Sequence, residues 1–339
     1  MIDLSVVIPS YENAVLLEGC LAALARARAA HPELAFEVLV VDNGSCDGSA
    51  ARAAASPLGV RLIALARNRG FAAAVNVGLR ARRGRHVLLL NSDAEIEPDG
   101  LAGGVALLDA GAGIGIVGAA LRHPDGRPQR SVHALPDWTS ELLPDALLRR
   151  ARDRARAPAT ARGRGPGVAD GAGRTGPAGA GPVDVEAVRG AVFFVAGPLV
   201  EAIGGLDEGY FFFLEETDYC ARARAAGWRV VEAASVRATH CLGASSKARA
   251  PLATRIEYER SLDRFLRRHR GARVARLVRV LRPLRTLAIL PLLGLGAPFS
   301  GRLRRRLRER AGLLLWHLRG RPAEPVLADG LARGEGASS

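Results

Sequence analysis

Through the first third of the chain, short and wholly apolar runs alternate with stretches of helical periodicity. Leu4–Ile8, Phe36–Val41, Val60–Leu65 and Val87–Leu90 are too short for buried helices and too continuous for half-exposed strands. They read as strands covered on both faces. Between them, Ala14–Ala30, Ser49–Ala55 and Phe71–Arg82 repeat their apolar positions at helical intervals. Such alternation predicts right-handed crossovers and a mainly parallel α/β sheet. Three of the strands stop abruptly in polar clusters: Ser10-Tyr11-Glu12-Asn13, Asp42-Asn43-Gly44-Ser45 and Asn91-Ser92-Asp93. Adjacent parallel strands bring these clusters to one carboxyl edge, where open α/β sheets keep their chemistry.

The pattern breaks after Leu121. A polar connector carries His123, His133 and Trp138, followed by an amphipathic stretch near Trp138–Leu148. Neither histidine has a partner at metal-ligand spacing, so both read as ordinary loop residues. From Arg149 to Pro182 the composition collapses to Arg, Ala, Gly and Pro. Such a segment cannot bury enough apolar surface to offset its ordering entropy and is expected to be disordered. Strands are expected again at Val183–Val188 and Ala191–Ala196, a short helix at Pro198–Ile203, and a turn at Gly204–Glu208. An aromatic run, Tyr210–Phe213, then leads into a helix that opens on Leu214-Glu215-Glu216-Thr217-Asp218 and stops at Gly227.

Several residues are candidates for chemistry. Asp42 at a strand tip can accept a pyrimidine imide N–H or pair with a ribose hydroxyl. Gly44 permits a close backbone approach, and Ser45 or Asp47 can cap the next helix. Arg67-Asn68-Arg69-Gly70 is rich in donors at a helix start and suits phosphate oxygens. Asn76, inside that helix, reads as a solvated surface amide. The first strand ends in Pro9-Ser10-Tyr11 and not in a glycine turn, which argues against a nicotinamide or flavin dinucleotide. Glu215, Glu216 and Asp218 complement a helix dipole, yet an aromatic wall beside paired acids can also raise one pKa into the range of a general base. His240 follows the strand-like Arg229–Val236 segment and precedes Cys241-Leu242-Gly243-Ala244-Ser245-Ser246.

Composition adds two constraints. The formal charge is +14, and Arg264–Arg310 holds fifteen Arg against one acid, Glu309, so the rest of the chain is near neutral. The four cysteines form no C-x-x-C pair and the chain opens directly on a strand, which predicts a reduced, cytoplasmic setting. In the basic segment Leu262, Phe265, Leu266, Leu277, Val278, Leu281 and Leu284 recur at three- and four-residue intervals. This predicts an amphipathic helix over Leu262–Leu284 that suits an anionic membrane surface better than nucleic acid; no nucleic acid is expected as a partner. A helix packed on the catalytic domain with a solvated Arg face is the alternative. Thr286–Ser300 is interrupted by Pro291 and Pro298 and falls short of the roughly 20 residues that span a bilayer, so lying on the membrane is expected and spanning is not.

In order along the chain, VVIPSYEN, VLVVDNGSCDGS, NRGFAAAVNVG, LLLNSDAEIEPDG, GGLDEGYFFFLEETDYCARARAAGW and THCLGASS resemble the inverting glycosyltransferases of family 2, which have the GT-A fold. The rhamnosyltransferase-like branch is the nearest match, and the resemblance covers about Leu4–Ser246. It implies that Asp42 recognises the nucleobase, that Pro9 and Tyr11 lie near base and ribose, and that Asn68 and Gly70 line the nucleotide pocket. Asp93 would carry the divalent metal on the diphosphate, with Asn91 standing where the usual Asp-x-Asp motif has its first acid, and His240 would complete the metal site. Among Glu215-Glu216-x-Asp218, Glu216 is the implied base and Glu215 its close rival.

The implied division is a nucleotide-sugar-binding half at 1–148, the insertion at 149–182, and an acceptor and catalytic half at 183–250. A basic helical extension follows at 251–320 and a disordered tail at 321–339. The implied activity is transfer of a sugar, rhamnose being one candidate, from a nucleoside-diphosphate sugar to a glycan or lipid-linked hydroxyl in bacterial polysaccharide or cell-envelope synthesis. Mg²⁺ or Mn²⁺ is the implied cofactor, weakly held because Asn91 removes one carboxylate. The rival is a catalytically silent nucleotide-sugar-binding or scaffold protein, which the retained Asp93, Glu215, Glu216 and Asp218 disfavour.

Overall fold

The computed structural model describes residues 1–143, 181–241 and 250–321. Most of the expected insertion, residues 242–246 of the last motif and nearly all of the tail lie outside them. In chain order the elements are β1 (Leu4–Ser10), α1 (Ala14–Ala30), β2 (Phe36–Asp42), α2 (Ser49–Ala54), β3 (Arg61–Ala64), α3 (Phe71–Ala81), β4 (His86–Leu90), β5 (Ala94–Ile96) and α4 (Pro98–Asp109). Then come β6 (Ile114–Arg122), β7 (Val132–His133), α5 (Trp138–Leu142), β8 (Val183–Asp184), β9 (Ala187–Val188), β10 (Val192–Ala196), α6 (Gly197–Ile203), α7 (Glu215–Ala225) and β11 (Arg229–His240). Three helices close the described chain: α8 (Pro251–His269), α9 (Ala272–Gly296) and α10 (Gly301–Leu318). The residues form two compact units, one of 1–135 with 181–241 and one of 136–143 with 250–321.

The first unit is built on a sheet ordered β3-β2-β1-β4-β10-β6-β11-β5, with β8 paired to β11. The β3, β2, β1, β4, β6 and β11 strands run one way, and β10, β5 and β8 run the other. This is the mainly parallel, helix-flanked sheet that the apolar runs predict. Val6, Val7, Ile8, Leu39, Val40, Leu88 and Phe194 are buried because helices cover both faces. Pro9 is tolerated in central β1 because the β1–β4 ladder ends at Val7↔Leu89, before the missing N–H would be needed there. The α7 helix stops where expected, its C-terminal turn relieved by Gly227 at φ +86°.

In the second unit the structure departs from the expected single helix over Leu262–Leu284. Gly271 sits at φ +88° and separates α8 from α9. Leu262, Phe265 and Leu266 are buried inside this unit. In α9, Ala275, Val278 and Thr286 are the buried residues. Beside them Arg279 bonds Asp263 at 2.6 Å and the partly buried Arg282 bonds Glu259 at 2.8 Å and Glu141, while Arg273, Arg276 and Arg285 are exposed. Leu277, Leu281, Leu284, Leu292, Leu295 and Phe299 are exposed on the opposite side, spaced for one helical stripe. Pro283 and Pro291 also fail to break α9. Each removes one backbone bond, but Arg279 and Leu287, whose carbonyls are released, lie at the exposed surface where water can satisfy them. Ala272–Phe299 is long and apolar enough, by length and composition, to cross a membrane.

Candidate active site

The three polar clusters meet at the carboxyl edge of the first unit. Ser10 and Asp42 are register partners on β1 and β2, and Asn43 N–H donates to Ser10 O at 2.8 Å. Asn13 bonds both Ser10 Oγ and Ser92 Oγ, tying the β1 end to the β4 end. Asp42 Oδ2 accepts from Ser45 N–H at 3.1 Å, while its Oδ1 is buried with no hydrogen-bond partner among the described residues. Asn91 Oδ1 is orphaned in the same way. A buried acceptor left unmet costs roughly 1–3 kcal/mol, so both atoms mark places where a ligand's donor or cation would be stabilising. Gly44, at φ +81°, lets the Arg67 backbone approach so closely that a Cβ would lie 2.7 Å from Arg67 Cα. Asp47, not Ser45, serves the helix starts: it accepts from Ser49 N–H of α2 and from Ala14 N–H of α1.

Pro9 is buried in β1 and Tyr11 is half-buried just beyond it. Asn68 and Gly70 are knitted to the β2 end by Asn43, whose Nδ2 donates to Asn68 Oδ1 at 2.9 Å and to Gly70 O at 3.1 Å. At φ +90°, Gly70 also seats Phe211, and Phe71 N–H donates to Phe211 O at 2.8 Å.

Asp93 and His240, far apart in sequence, come together because β5 pairs with the end of β11. His240 Nε2 lies 3.3 Å from Asp93 Oδ1. His240 Nδ1 lies 2.8 Å from Gln129 Oε1, and Gln129 Nε2 donates to His240 O and faces His123 Nδ1, each at 3.2 Å. His123 is thus part of this buried chain and not a plain loop residue. Among the described residues no three His, Cys, Asp or Glu side chains cluster closely enough to hold a metal on their own. An acid, an imidazole and the orphaned Asn91 amide oxygen nevertheless suit a hard divalent ion that takes its remaining ligands from phosphate.

The three acids of α7 have different surroundings. Asp218 is wholly buried; its Oδ2 pairs with Arg222 Nε at 2.8 Å, and Tyr210 OH lies 3.4 Å from its Oδ1. Arg222 also donates to Ile203 O at 2.9 Å and Gly205 O at 2.7 Å. Asp218 therefore tethers the Gly204–Leu214 loop. Glu215 is buried as well, and Glu216 is largely buried. Burial pushes the Glu216 carboxyl above its usual range, opposed by backbone N–H groups and the nearby Arg189. Gly190 packs on Glu216, where an added Cβ would sit 3.3 Å from Glu216 Cγ, and the next residue, Ala191, accepts from Asn91 N–H at 3.0 Å. His133 is on β7, its Nε2 2.9 Å from Thr217 Oγ1, and burial with Arg189 and Arg130 lowers its pKa to about 4. It presents a neutral imidazole to the start of α7.

Asn76, read from sequence as a surface amide, is buried. Its Nδ2 donates to Leu206 O at 2.8 Å and its Oδ1 accepts from Leu206 N–H at 2.8 Å. The loop is thus held by Asn76 on one side and Arg222 on the other, and it ends in two consecutive left-handed residues, Phe213 at φ +73° and Leu214 at φ +65°. Such conformations cost about 1–3 kcal/mol each and aim α7 at the sheet edge. Gln129 and Arg189 escape the sequence reading, while Asn43 enters it only as part of a polar cluster and Asn76 only as a surface amide. Only Asp218–Arg222, four residues apart on a helix, carries a local signal.

Residues 5–162 match the family model described as glycosyl transferase family 2. The chain is similar to the succinoglycan biosynthesis protein ExoO of Rhizobium meliloti, 38% identical over 131 residues that make up 38% of this chain and 36% of that protein. It is also similar to the N-acetylglucosaminyl-diphospho-decaprenol L-rhamnosyltransferase of Mycobacterium tuberculosis, 29% identical over 252 residues, 70% of this chain and 75% of that one. Among solved structures it is similar to the mannosyltransferase PcManGT from Pyrobaculum calidifontis in complex with GDP-Man and Mn²⁺, with a TM-score of 0.55 and 18% identity over 94% of this chain and 88% of that one. The fold is GT-A-like, as the ordered motifs imply.

Proposed function

We propose, from the match of residues 5–162 to the glycosyl transferase family 2 model, that the chain is an inverting glycosyltransferase acting in polysaccharide or cell-envelope synthesis. It moves a sugar, rhamnose foremost, from a nucleoside diphosphate to a hydroxyl of a glycan or lipid-linked acceptor. The observation that carries this reading is the adjacency of two chemistries: Gly190–Ala191 joins the desolvated Glu216 to the Asn91 end of the sheet. Asp42 Oδ1 meets a donor on the base or ribose. Asn91, Asp93 and His240 are the residues that would hold Mg²⁺ or Mn²⁺, which, when bound, supplies positive charge to diphosphate oxygens. Glu216 takes the acceptor hydroxyl's proton as that oxygen bonds to the anomeric carbon and the bond from that carbon to phosphate breaks. Attack from the face opposite the leaving group inverts the anomeric centre. Glu215, Asp218 and Arg222 keep α7 and its preceding loop in place for that step.

We further propose that the enzyme works peripherally at the cytoplasmic face of a membrane. The outward apolar stripe of α9 and the exposed cations Arg302, Arg304, Arg305 and Arg308 support this reading.

Incubation with a panel of nucleotide sugars and a lipid-linked acceptor extract tests the activity. Release of nucleoside diphosphate with a new glycosylated product is expected. Donor binding without any release would leave the silent-scaffold reading in its place.

A further inference from the structure

The second unit contains a cleft of about 290 Å³ whose chemistry the proposed reaction does not use. Its lining is Arg255 from α8, Ile289 and Leu293 from α9, and Arg306 and Arg310 from α10. Three guanidiniums and two aliphatic side chains in one recess form an amphiphilic lining. Arg255 is paired with Glu309 at 2.9 Å, but neither Arg306 nor Arg310 makes a hydrogen bond or ion pair with any described residue. Arg310 is half-buried, and burial, then the nearby Arg255, Arg285 and Arg282, lower its pKa against the opposing pull of Glu259. Glu309 neutralises Arg255, and Glu259 offsets part of the crowding at Arg310, but Arg306 and Arg310 have no acid in direct contact among the described residues, and an anion would fill that place. Leu292 of the stripe, 70% exposed, is followed in the chain by Leu293 of the cleft, so the two faces lie about 100° apart around α9.

We propose that this cleft binds the phosphate head of an anionic membrane lipid, with Arg306 and Arg310 on the phosphate and the acyl or prenyl chain passing over Ile289 and Leu293 to the α9 stripe. A free phosphate would satisfy the two guanidiniums but leave the aliphatic wall bare, and nucleic acid would leave the stripe bare. The inference rests on the peripheral-membrane reading of α9 and adds to it a defined lipid site, where that reading alone asks only for diffuse attraction.

The test uses the full chain and flotation with phosphatidylcholine vesicles holding 10% phosphatidate. Two charge-matched variants are compared: Arg306→Gln with Arg310→Gln, and Arg302→Gln with Arg304→Gln. At low salt both should bind less than wild type. In about 0.5 M NaCl, where the screening length is only about 4–5 Å, diffuse attraction fades. The cleft variant should then bind about tenfold more weakly than wild type, and the control pair within about twofold. A soluble short-chain phosphatidate should compete with the vesicles, and inorganic phosphate at the same concentration should not. Equal losses by the two variants at high salt, or equal competition by inorganic phosphate, would overturn the lipid site while leaving the membrane reading intact. Absence of wild-type binding to any vesicle would instead overturn both. Arg310→Lys, which keeps the charge, serves as the folding control and should recover part of the binding lost by the Gln pair; if it and wild type melt alike and soluble phosphatidate displaces neither from vesicles, the site is refuted.

Discussion

His240 turns Nε2 toward Asp93 Oδ1 at 3.3 Å because Gln129 holds the other side of the ring. The Gln129 amide nitrogen already faces His240 O and His123 Nδ1, so its oxygen must accept from His240 Nδ1–H. Nε2 is thereby aimed at the Asp93 carboxylate, where a proton on Nε2 or a bound cation bridges the two. Gln129→Leu should therefore weaken Mn²⁺ binding about tenfold in the presence of a nucleoside diphosphate, a loss in the range typical of outer-shell partners. Electron paramagnetic resonance of bound Mn²⁺ measures it directly. With Asn91 in place of an acid, little Mn²⁺ should bind before the nucleotide is added, and excess chelator should abolish transfer. Full activity in chelator would leave Asp93 and His240 as polar donors only.

A second expectation concerns pH. Burial raises the Glu216 pKa in the folded state, so between the unfolded and folded values the native protein holds the extra proton and stability falls as pH rises. Transfer has the opposite dependence, because the base must be deprotonated; activity should decline as pH drops through the raised value. Glu216→Gln removes the desolvated charge, so its melting temperature should exceed that of wild type at pH 8, with the gap closing on acidification. A variant no more stable than wild type at pH 8 would contradict the burial argument.

Asn76 offers a test of the loop. Removing its amide leaves Leu206 N–H and O without partners inside the protein, and Asn76→Ala should cost about 1–3 kcal/mol of stability per group left unmet. Gly205→Ala should be harmful for the complementary reason that a Cβ there runs into Asn76 Oδ1. Chemical denaturation measures both. Because the loop sets the Phe213–Leu214 turn before Glu216, the fall in kcat at a temperature where each variant is folded should exceed any change in donor affinity.

The outward face of α9 carries its own prediction. Leu292→Ser with Leu295→Ser exposes no core, since these positions are 70% and 75% exposed. Unfolding temperature should hardly change, while the salt-resistant part of vesicle binding should disappear. Undiminished binding in high salt would contradict the stripe as the contact surface.

The sheet and its chemical edge were legible because each strand is an unbroken apolar run that stops at a polar cluster, so Asp42, Asn91 and Asp93 announce their position locally. The end of α7 was equally plain at Gly227. What the sequence hid depends on partners remote along the chain. Asn76 acts on Leu206 and Gln129 on His240, and neither spacing has a period to betray it. The second unit misled for another reason. Leu262–Leu284 keeps helical spacing straight through Gly271, and the periodicity does not say that Arg279 and Arg282 pair with Asp263, Glu141 and Glu259 while the leucines of α9 face outward. The α7 acids show the same limit: three neighbouring carboxylates look alike until Arg222 is seen to occupy Asp218.

The most direct test of the central claim is transfer by Glu216→Gln measured beside donor binding by the same protein. Gln keeps the size and the hydrogen-bonding capacity while removing the basicity. The account predicts a nucleotide-sugar dissociation constant within a fewfold of wild type, transfer slower by roughly 10²–10⁴-fold, and wild-type product with an anomeric configuration opposite to that of the donor. Wild-type turnover in Glu216→Gln, or retention of configuration in the product, would contradict it.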